Sequence, residues 1–151
     1  MTVVIYLNGH LYADRVGTRA NAPFVVSSKI VRNTTLVWGS AGTSPSPAML
    51  RATTLEELAA AFQAEKHLRD HAEVLCYERA TGHMWYGYVD DTRDERLFSW
   101  SLAQEGVAIG GYGTEWMCSR RVDRNPHTFI RAIHTLWGIE AEAETYLLPC
   151  D

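Results

Sequence analysis

The sequence predicts an α+β fold in which antiparallel sheets are layered with helices, for three reasons. Its β-type and helical segments come in separate groups, in the order strands, helices, strands, helices, which differs from the alternation typical of a parallel sheet. An Asn-Gly pair near the start divides two β-type runs, and this pair is the strongest short signal for a hairpin. With 151 residues, of which 46% are hydrophobic, the chain is long enough for a sizeable core. We therefore expect a single domain over residues 1–151.

The first elements are expected to be strands. Residues 3–7 and 10–13 flank Asn8 and Gly9, and a type I′ turn requires a positive φ at both of these central positions. Three further β-type runs follow at residues 23–26, 29–32 and 34–38. Residues 39–42, with the sequence Gly-Ser-Ala-Gly, are expected to break the last of these strands.

Helical signals begin after this turn. Pro47 can occupy a first helical turn, and residues 53–56, with the sequence Thr-Thr-Leu-Glu, resemble a capping box that opens another helix. Apolar residues then recur at helical spacing from Leu55 onward. We expect this helix to extend to about residue 69.

The second half of the chain predicts more strands and then two helices. Aromatic and β-branched residues recur in four runs, which we expect to form consecutive antiparallel strands at residues 73–78, 83–89, 96–102 and 107–109. Helices are predicted at 114–122 and 125–136, the second with Asn125 as its N-cap and Pro126 in its first turn. Residues 145–148 are expected to form a last short strand.

Composition limits the classes of function. The formal net charge is -4 and the isoelectric point is about 5.8, so the sequence offers no broad basic face for nucleic acid. The three cysteines are far apart and lack metal-type spacing, so they predict neither a disulfide framework nor a zinc module. The sequence shows no signal peptide and no apolar run of the ~20 residues that span a bilayer. We expect a cytoplasmic protein that binds neither nucleic acid nor membrane.

The candidate chemistry lies at the N-terminus. Removal of Met1 would expose Thr2, whose hydroxyl is a nucleophile and whose α-amine, with an ordinary pKa of about 7.7–8.0, can accept the hydroxyl proton near neutrality. Pairing about the Asn-Gly turn places Thr2 close to Asp14 or Arg15, so a carboxylate lies beside the amine. Lys29 is the candidate ammonium that would balance this charge and stabilise the ionised hydroxyl.

Several short motifs accompany these residues. They are Thr2, Asn8-Gly9-His10, Ala13-Asp14, Ser28-Lys29-Ile30 with Arg32, Gly39-Ser40-Ala41-Gly42 and Val107-Ala108-Ile109-Gly110-Gly111. In this order, over most of the chain, they resemble the proteasome β-type peptidases. The resemblance is closest to the bacterial proteasome-like protease HslV and to its shorter relatives, which are often found in bacteriophage genomes. It implies a four-layer αββα sandwich of two antiparallel sheets flanked by helices, the fold of N-terminal nucleophile hydrolases.

The resemblance also implies a role for each site residue. Thr2 would be the nucleophile of a threonine-type peptidase, and Asp14 and Lys29 the charged pair that tunes it. The backbone N–H of Gly42 would donate to the oxyanion of the tetrahedral intermediate, a role worth about 2.7–4 kcal/mol in other hydrolases. A peptide would bind beside these residues as an extra strand. The residues expected to bind it are Thr18, Ser40 and Ala41.

The same resemblance implies a polypeptide substrate and a homo-oligomeric ring that encloses the active sites. Aromatic residues such as Trp116 on the last helices would suit the subunit contacts of such a ring. An ATP-dependent unfoldase is a further partner that the resemblance suggests, and no cofactor is implied. No metal site is expected either. His67 and His71 lie one helical turn apart without an evident third ligand, which favours a solvated helix face.

A function from a different class remains open. The family usually has a serine in a Gly-Ser-Gly turn where this chain has Gly110-Gly111, and no residue clearly matches the family's aspartate or serine after its last long helix. These differences favour a catalytically inactive proteasome-like scaffold or interaction subunit, with a phage origin as one option. Retention of Met1 would favour it as well, because the nitrogen of Thr2 would then be an amide. A third alternative is acyl transfer from a small amide to the same nucleophile.

Overall fold

A computed structural model describes residues 2–65, 72–90, 97–119 and 125–149. The fold is mixed α+β, with antiparallel sheets and few helices. The described strands are β1 (Val3–Leu7), β2 (His10–Ala13), β3 (Val16–Arg19), β4 (Ala22–Val25), β5 (Ile30–Arg32), β6 (Leu36–Ala41), β7 (Glu73–Glu78), β8 (His83–Asp90), β9 (Leu97–Leu102), β10 (Ala108–Gly110) and β11 (Glu144–Leu147). The described helices are α1 (Pro47–Arg51), α2 (Leu55–Gln63), α3 (Gly113–Ser119) and α4 (Pro126–Leu136).

The strands form two main sheets and one ribbon. We call the four-stranded sheet, with the order β10-β1-β2-β11, the first sheet. The five-stranded sheet, with the order β5-β6-β7-β8-β9, is the second sheet. β3 and β4 form a separate two-stranded ribbon. All the strand pairs are antiparallel, as the grouping of strands and helices along the chain predicts.

The first hairpin is confirmed at the predicted residues. Leu7 lies opposite His10, and Asn8 and Gly9 between them have φ values of 51° and 71°. Both central positions are therefore left-handed, as a tight two-residue hairpin turn requires. The turn brings the start of β1 beside the end of β2, which is where the candidate nucleophile and carboxylate lie.

The run at residues 107–109 does not continue the sheet formed by the three runs before it. β10 pairs with β1, and Ile109 lies opposite Val4. After β9 the chain crosses to the first sheet, where the backbone N–H of Gly106 donates to the carbonyl oxygen of Tyr6 at 2.6 Å. This pairing buries Ile109 in a cluster shared by both sheets. The prediction of four consecutive antiparallel strands is therefore wrong for β10.

β6 is longer than predicted. It runs through Ala41, so the break expected within residues 39–42 begins only at Gly42. The reason is that β7 pairs with β6 as far as Ala41, while β5 pairs with it as far as Gly39, and these ladders hold the small residues extended. A Cβ added at Gly39 would lie 3.1 Å from a methyl group of Val4 in the first sheet. The glycine therefore permits a close approach of the two sheets.

β3 has no clear signal in the sequence. It contains Gly17, which lacks a side chain to pack and weakens a strand. Phe24 of β4 covers this glycine, since a Cβ added at Gly17 would meet the phenylalanine ring at 2.5 Å. Cross-strand packing therefore takes the place of intrinsic strand propensity in this ribbon, and a single-strand pattern cannot reveal it.

Side chains alternate between three hydrophobic clusters along the strands. The first cluster contains residues of both sheets, among them Val4, Leu11 and Ile109 of the first sheet and Ile30, Val37, Leu75 and Tyr77 of the second. The second cluster joins the first sheet to the last helices, through Val3, Ile5, Tyr12, Trp116, Ile130 and Ile133. The third cluster joins the second sheet to the earlier helices, through Leu36, Trp38, Val74, Met49, Leu58 and Phe62. Both main sheets therefore bury side chains on both faces.

Trp116 is buried rather than available for contacts with another subunit. Its side chain is fully inaccessible, and its indole N–H donates to the carbonyl oxygen of Gly106 at 3.3 Å. It also packs edge to face against Phe129 of α4. The prediction that Trp116 lies at a subunit interface is therefore wrong, because the helix needs this side chain to attach it to the first sheet.

The predicted helix starts are confirmed. Pro47 is the first residue of α1, and α2 starts at Leu55, where the apolar periodicity begins. Its N-cap is Thr54, which accepts the backbone N–H of Glu57, so the capping interaction lies one residue later than the box expected at residues 53–56. Asn125 caps α4 in the same way, and Pro126 follows it at the first helical position. Local capping chemistry is thus sufficient to locate these starts.

The predicted end of α2 is wrong, whereas the end predicted for α4 at residue 136 is confirmed. α2 ends at Gln63 rather than near residue 69, and residues 66–71 lie outside the described part of the chain. α3 is described as far as Ser119, within the predicted range 114–122. Over the ranges that the structure covers, no helix combines the length and the apolar character needed to cross a membrane.

Two described cysteines are expected to differ sharply in reactivity. Burial raises the pKa of the Cys76 thiol far above its usual range, and the nearby Glu78 charge adds to this, whereas Cys118 on α3 is exposed. Because the thiolate is the reactive form, iodoacetamide in mildly alkaline buffer should modify Cys118 in the folded protein and Cys76 only after unfolding. Peptide mass mapping checks this order, and equal modification of both in the native state would contradict it.

Candidate active site

The predicted nucleophile, carboxylate and ammonium meet at one end of the first sheet. Thr2 immediately precedes β1, and Asp14 immediately follows β2. Lys29 comes from the segment between β4 and β5, and its Nζ donates to Thr2 Oγ1 at 3.1 Å and to Asp14 Oδ2 at 2.9 Å. The ammonium therefore bridges the hydroxyl and the carboxylate. An ammonium in this position favours the ionised form of the hydroxyl.

Asp14 is held more firmly than an ordinary turn residue. Its side chain is inaccessible to solvent, while the Lys29 side chain is 13% exposed. Besides the ammonium, the carboxylate accepts the backbone N–H of Val3 at 2.8 Å and that of Val16 at 2.9 Å. These charge-assisted bonds compensate the burial of the carboxylate. They also attach the start of β1, and hence Thr2, to the start of β3.

A cavity of about 570 Å³ lies beside this group. Thr2 and Lys29 contribute to its wall, and so do Thr18 and Ser40 of the predicted substrate-binding set. Much of the remaining lining is apolar and comes from Val16, Phe24, Val26, Val31 and Leu50. The cavity thus combines a reactive polar corner with an apolar wall.

Ala41 and Gly42, the other predicted site residues, lie at the end of β6. Ala41 is buried and lies 3.4 Å from the position of a Cβ added at Gly110, so it packs beneath the site. Gly42 is exposed and follows it directly. Thr43, the next residue, lines the cavity. The end of β6 therefore passes close to the reactive corner, with Gly42 between a buried residue and a cavity residue.

Gly110 lies directly against the candidate nucleophile. A Cβ at this position would be 1.8 Å from the carbonyl oxygen of Thr2, and the residue has a φ of 96°. Its backbone N–H donates to Glu73 at 3.3 Å, and the same carboxylate accepts the hydroxyl of Tyr86 at 2.6 Å. Burial and this carboxylate raise the pKa of Tyr86, so the phenol is a neutral donor. Gly110 and its partners thus fix the backbone of Thr2.

Sequence reasoning missed Glu144, which holds the lysine segment. This buried residue of β11 accepts the backbone N–H of Lys29 at 2.6 Å. A single carboxylate at the start of a short strand carries no local signal, because its partner lies 115 residues earlier. Glu73 was missed for the same reason, since its bond to Gly110 spans 37 residues.

No family model, curated protein or solved structure matches the chain. The contacts among Thr2, Asp14 and Lys29 are therefore the observations that bear on function.

Within the residues that the structure describes, no three His, Cys, Asp or Glu side chains lie close enough to share a metal ion. His67 and His71 lie outside those residues. The polar groups that surround the candidate nucleophile are an ammonium, a carboxylate and backbone amides, which suit acyl transfer by a hydroxyl.

Proposed function

We propose that the protein is a threonine-type N-terminal nucleophile hydrolase that cleaves peptides. The observation that carries this proposal is the 3.1 Å contact between Lys29 Nζ and Thr2 Oγ1, with the buried Asp14 carboxylate behind the ammonium. Each residue alone is a common surface type. Their convergence on a hydroxyl beside a cavity is typical of an activated nucleophile.

The proposed reaction starts once Met1 has been removed. The α-amine of Thr2 takes the proton from Oγ1, and Oγ1 attacks the carbonyl carbon of the scissile peptide bond. The oxyanion of the tetrahedral intermediate then accepts a hydrogen bond from the backbone N–H of Gly42, as the resemblance to the family implies. The C–N bond breaks, and the leaving amine takes the proton from the α-ammonium. This leaves an ester on Thr2, which water hydrolyses with the α-amine again acting as base.

The charged pair has separate roles in this scheme. The Lys29 ammonium stabilises negative charge on Oγ1 during attack, when the α-amine has already taken the proton. Asp14 supplies the counter-charge that keeps the ammonium in place within a largely dehydrated site. Because neither residue exchanges a proton in the scheme, both are expected to lower the barrier mainly through electrostatics and position.

We also propose the four-layer αββα arrangement of the proteasome β-type family for this chain. The three hydrophobic clusters support it. One cluster contains residues of both sheets, and each of the others joins one sheet to one pair of helices. In that arrangement, the site lies at an end of the two sheets, where a peptide could enter the cavity as an extended strand.

The family resemblance extends the proposal to assembly. Subunits would form a homo-oligomeric ring in the cytoplasm that encloses the sites, with an ATP-dependent unfoldase as a further partner. Exposed apolar side chains on the last helices, Met117 at 50% and Leu136 at 77%, are suitable for subunit contacts. A ring would restrict access to the cavity to unfolded polypeptides.

A catalytically inactive proteasome-like scaffold or interaction subunit, with a phage origin as one option, is the second candidate. Gly110 and Gly111 favour it, because the family usually has a serine hydroxyl in this turn. In this alternative the charged group at Thr2 would stabilise the start of β1 rather than drive a reaction.

Intact mass combined with labelling by a peptidyl epoxyketone distinguishes the two candidates, because the reagent needs both a threonine hydroxyl and a free α-amine. For the enzyme we expect a mass that lacks Met1 and a single adduct per chain, which disappears in Thr2→Ala. Thr135→Ala changes an exposed threonine of α4 and should label normally, so it is the matched control. A retained methionine without an adduct would refute the enzyme and support the scaffold.

A further inference from the structure

Glu144 is a buried carboxylate that the proposed reaction does not use. Glu144 is the first residue of β11 and is only 8% exposed. Oε1 accepts the backbone N–H of Lys29 at 2.6 Å and that of Ile30 at 3.2 Å. Oε2 accepts the hydroxyl of Ser28. One side chain therefore binds three consecutive residues.

The backbone N–H of Lys29 needs a hydrogen-bond acceptor from outside the β5–β6 ladder. Lys29 precedes β5, which begins at Ile30, so its backbone lies at the margin of the ladder to β6. Its N–H is part-buried, and a buried N–H without an acceptor destabilises the folded chain. Glu144 supplies that acceptor with a charge-assisted bond, which is stronger than a bond to a neutral oxygen.

The position of Glu144 also relates it to the other carboxylate of the site. In the register of β11 and β2, Glu144 lies opposite Ala13, the residue before Asp14. Neighbouring strands of the first sheet therefore present two buried carboxylates to the same lysine. Asp14 binds the ammonium of Lys29, and Glu144 binds its backbone N–H.

We infer that Glu144 is a positioning residue that sets where the Lys29 ammonium lies relative to Thr2. The inference rests on the proposed function. A lysine side chain has four rotatable bonds, so the reach of Nζ depends on where the backbone is anchored. Nζ must lie within hydrogen-bond distance of Thr2 Oγ1 and Asp14 Oδ2 together. This requirement is met because Glu144 holds the backbone of the lysine and Asp14 holds its ammonium.

Substitutions of Glu144 test this role, with hydrolysis of a fluorogenic peptide and amide hydrogen exchange as readouts. Glu144→Ala should lower kcat by about 10-fold or more, because misplacing a group near the reacting atoms is costly, and should leave KM nearly unchanged. Amide exchange at Lys29 and Ile30 should accelerate by about 10-fold, while exchange in β7 stays constant. Glu144→Gln keeps an acceptor oxygen and should recover kcat to within about threefold of the unmodified protein.

Glu78→Ala is the matched control. Its carboxylate accepts the hydroxyl of Thr81 at 2.7 Å and the indole N–H of Trp85 at 3.4 Å, at the β7–β8 turn. The Glu78→Ala substitution removes a hydrogen-bonded carboxylate that lies away from the site, so kcat should stay at the wild-type value. If Glu144→Ala does not fold, Glu144→Asp, which withdraws the carboxylate by one methylene, should show an intermediate loss of kcat and an intermediate exchange rate.

The outcomes separate this inference from the proposed function. Wild-type protein that shows no Thr2-dependent hydrolysis would refute the proposed function, and the exchange data would still decide whether Glu144 holds the lysine segment. A folded Glu144→Ala with unchanged exchange at Lys29, or with wild-type kcat, would overturn the inference. A glutamine variant as impaired as the alanine variant would overturn it as well, because hydrogen bonding could then not be the cause.

Discussion

Replacing Asp14 with alanine is expected to lower the free energy of unfolding by about 3 kcal/mol and to abolish labelling of Thr2, because breaking a buried ion pair leaves the other charge uncompensated. This loss of unfolding free energy is at the lower end of the range for broken buried ion pairs, because 13% of the Lys29 side chain is still exposed to water. The variant also removes the acceptor of the Val3 and Val16 backbone N–H groups. Thr2 then loses both its ammonium and the attachment of the strand that follows it.

Urea unfolding and epoxyketone labelling measure the two effects of Asp14→Ala separately. The matched control is Glu142→Ala, which breaks the exposed pair of Arg131 and Glu142, whose side chains are 64% and 77% exposed. Exposed pairs contribute at most about 1 kcal/mol, so this control should unfold nearly like the wild-type protein and label normally. Equal stability of the two variants would show that Asp14 is not a structural anchor, and normal labelling of Asp14→Ala would exclude it from the site.

Among substitutions that add a single methyl group at the site, Gly110→Ala should lower the reactivity of Thr2 the most. The added Cβ would lie 1.8 Å from the carbonyl oxygen and 2.7 Å from the carbonyl carbon of Thr2, and both are backbone atoms that cannot rotate away. Strand β1 must therefore move away from β10. A displacement of about 1 Å at the reacting atoms lowers a rate by about 100-fold. Crowding and the left-handed backbone together should cost at least about 2 kcal/mol of stability.

Gly138→Ala separates the steric effect from the backbone effect. Gly138 has a φ of 68°, but nothing lies within 4 Å of a Cβ added there. It should therefore lose about 1 kcal/mol for its left-handed conformation and keep full labelling of Thr2. Thermal unfolding and the labelling rate are measured for both variants. If Gly110→Ala labels as fast as Gly138→Ala, the close contact with Thr2 does not control the nucleophile.

Much of the fold was predictable because its signals are local. Asn8 and Gly9 determine a two-residue turn, and the turn in turn brings Asp14 to the start of β1. The caps at Thr54 and Asn125 likewise need only neighbouring residues. The convergence of Thr2 with Asp14 therefore follows from the hairpin alone, whereas Lys29 was identified from charge and from the resemblance to a family.

The parts that could not be predicted depend on contacts between distant segments. β10 pairs with β1 because its buried face completes the first sheet, and nothing within residues 107–109 specifies that partner. β6 remains extended through Ala41 because β7 pairs with it over its whole length. Glu144 resembles an ordinary surface residue until β11 is placed beside β2. In each of these cases tertiary pairing overrides the local pattern.

The hold of Glu144 on the lysine segment has a consequence for newly made protein. The two groups are 115 residues apart, and contacts of such long range form late in folding. A chain that is still being synthesised lacks β11, so Glu144 cannot yet bind the backbone of Lys29 and position its ammonium beside Thr2. Under the proposed function, the ammonium that stabilises Thr2 Oγ1 is therefore fully positioned only after the last described strand has been made and paired.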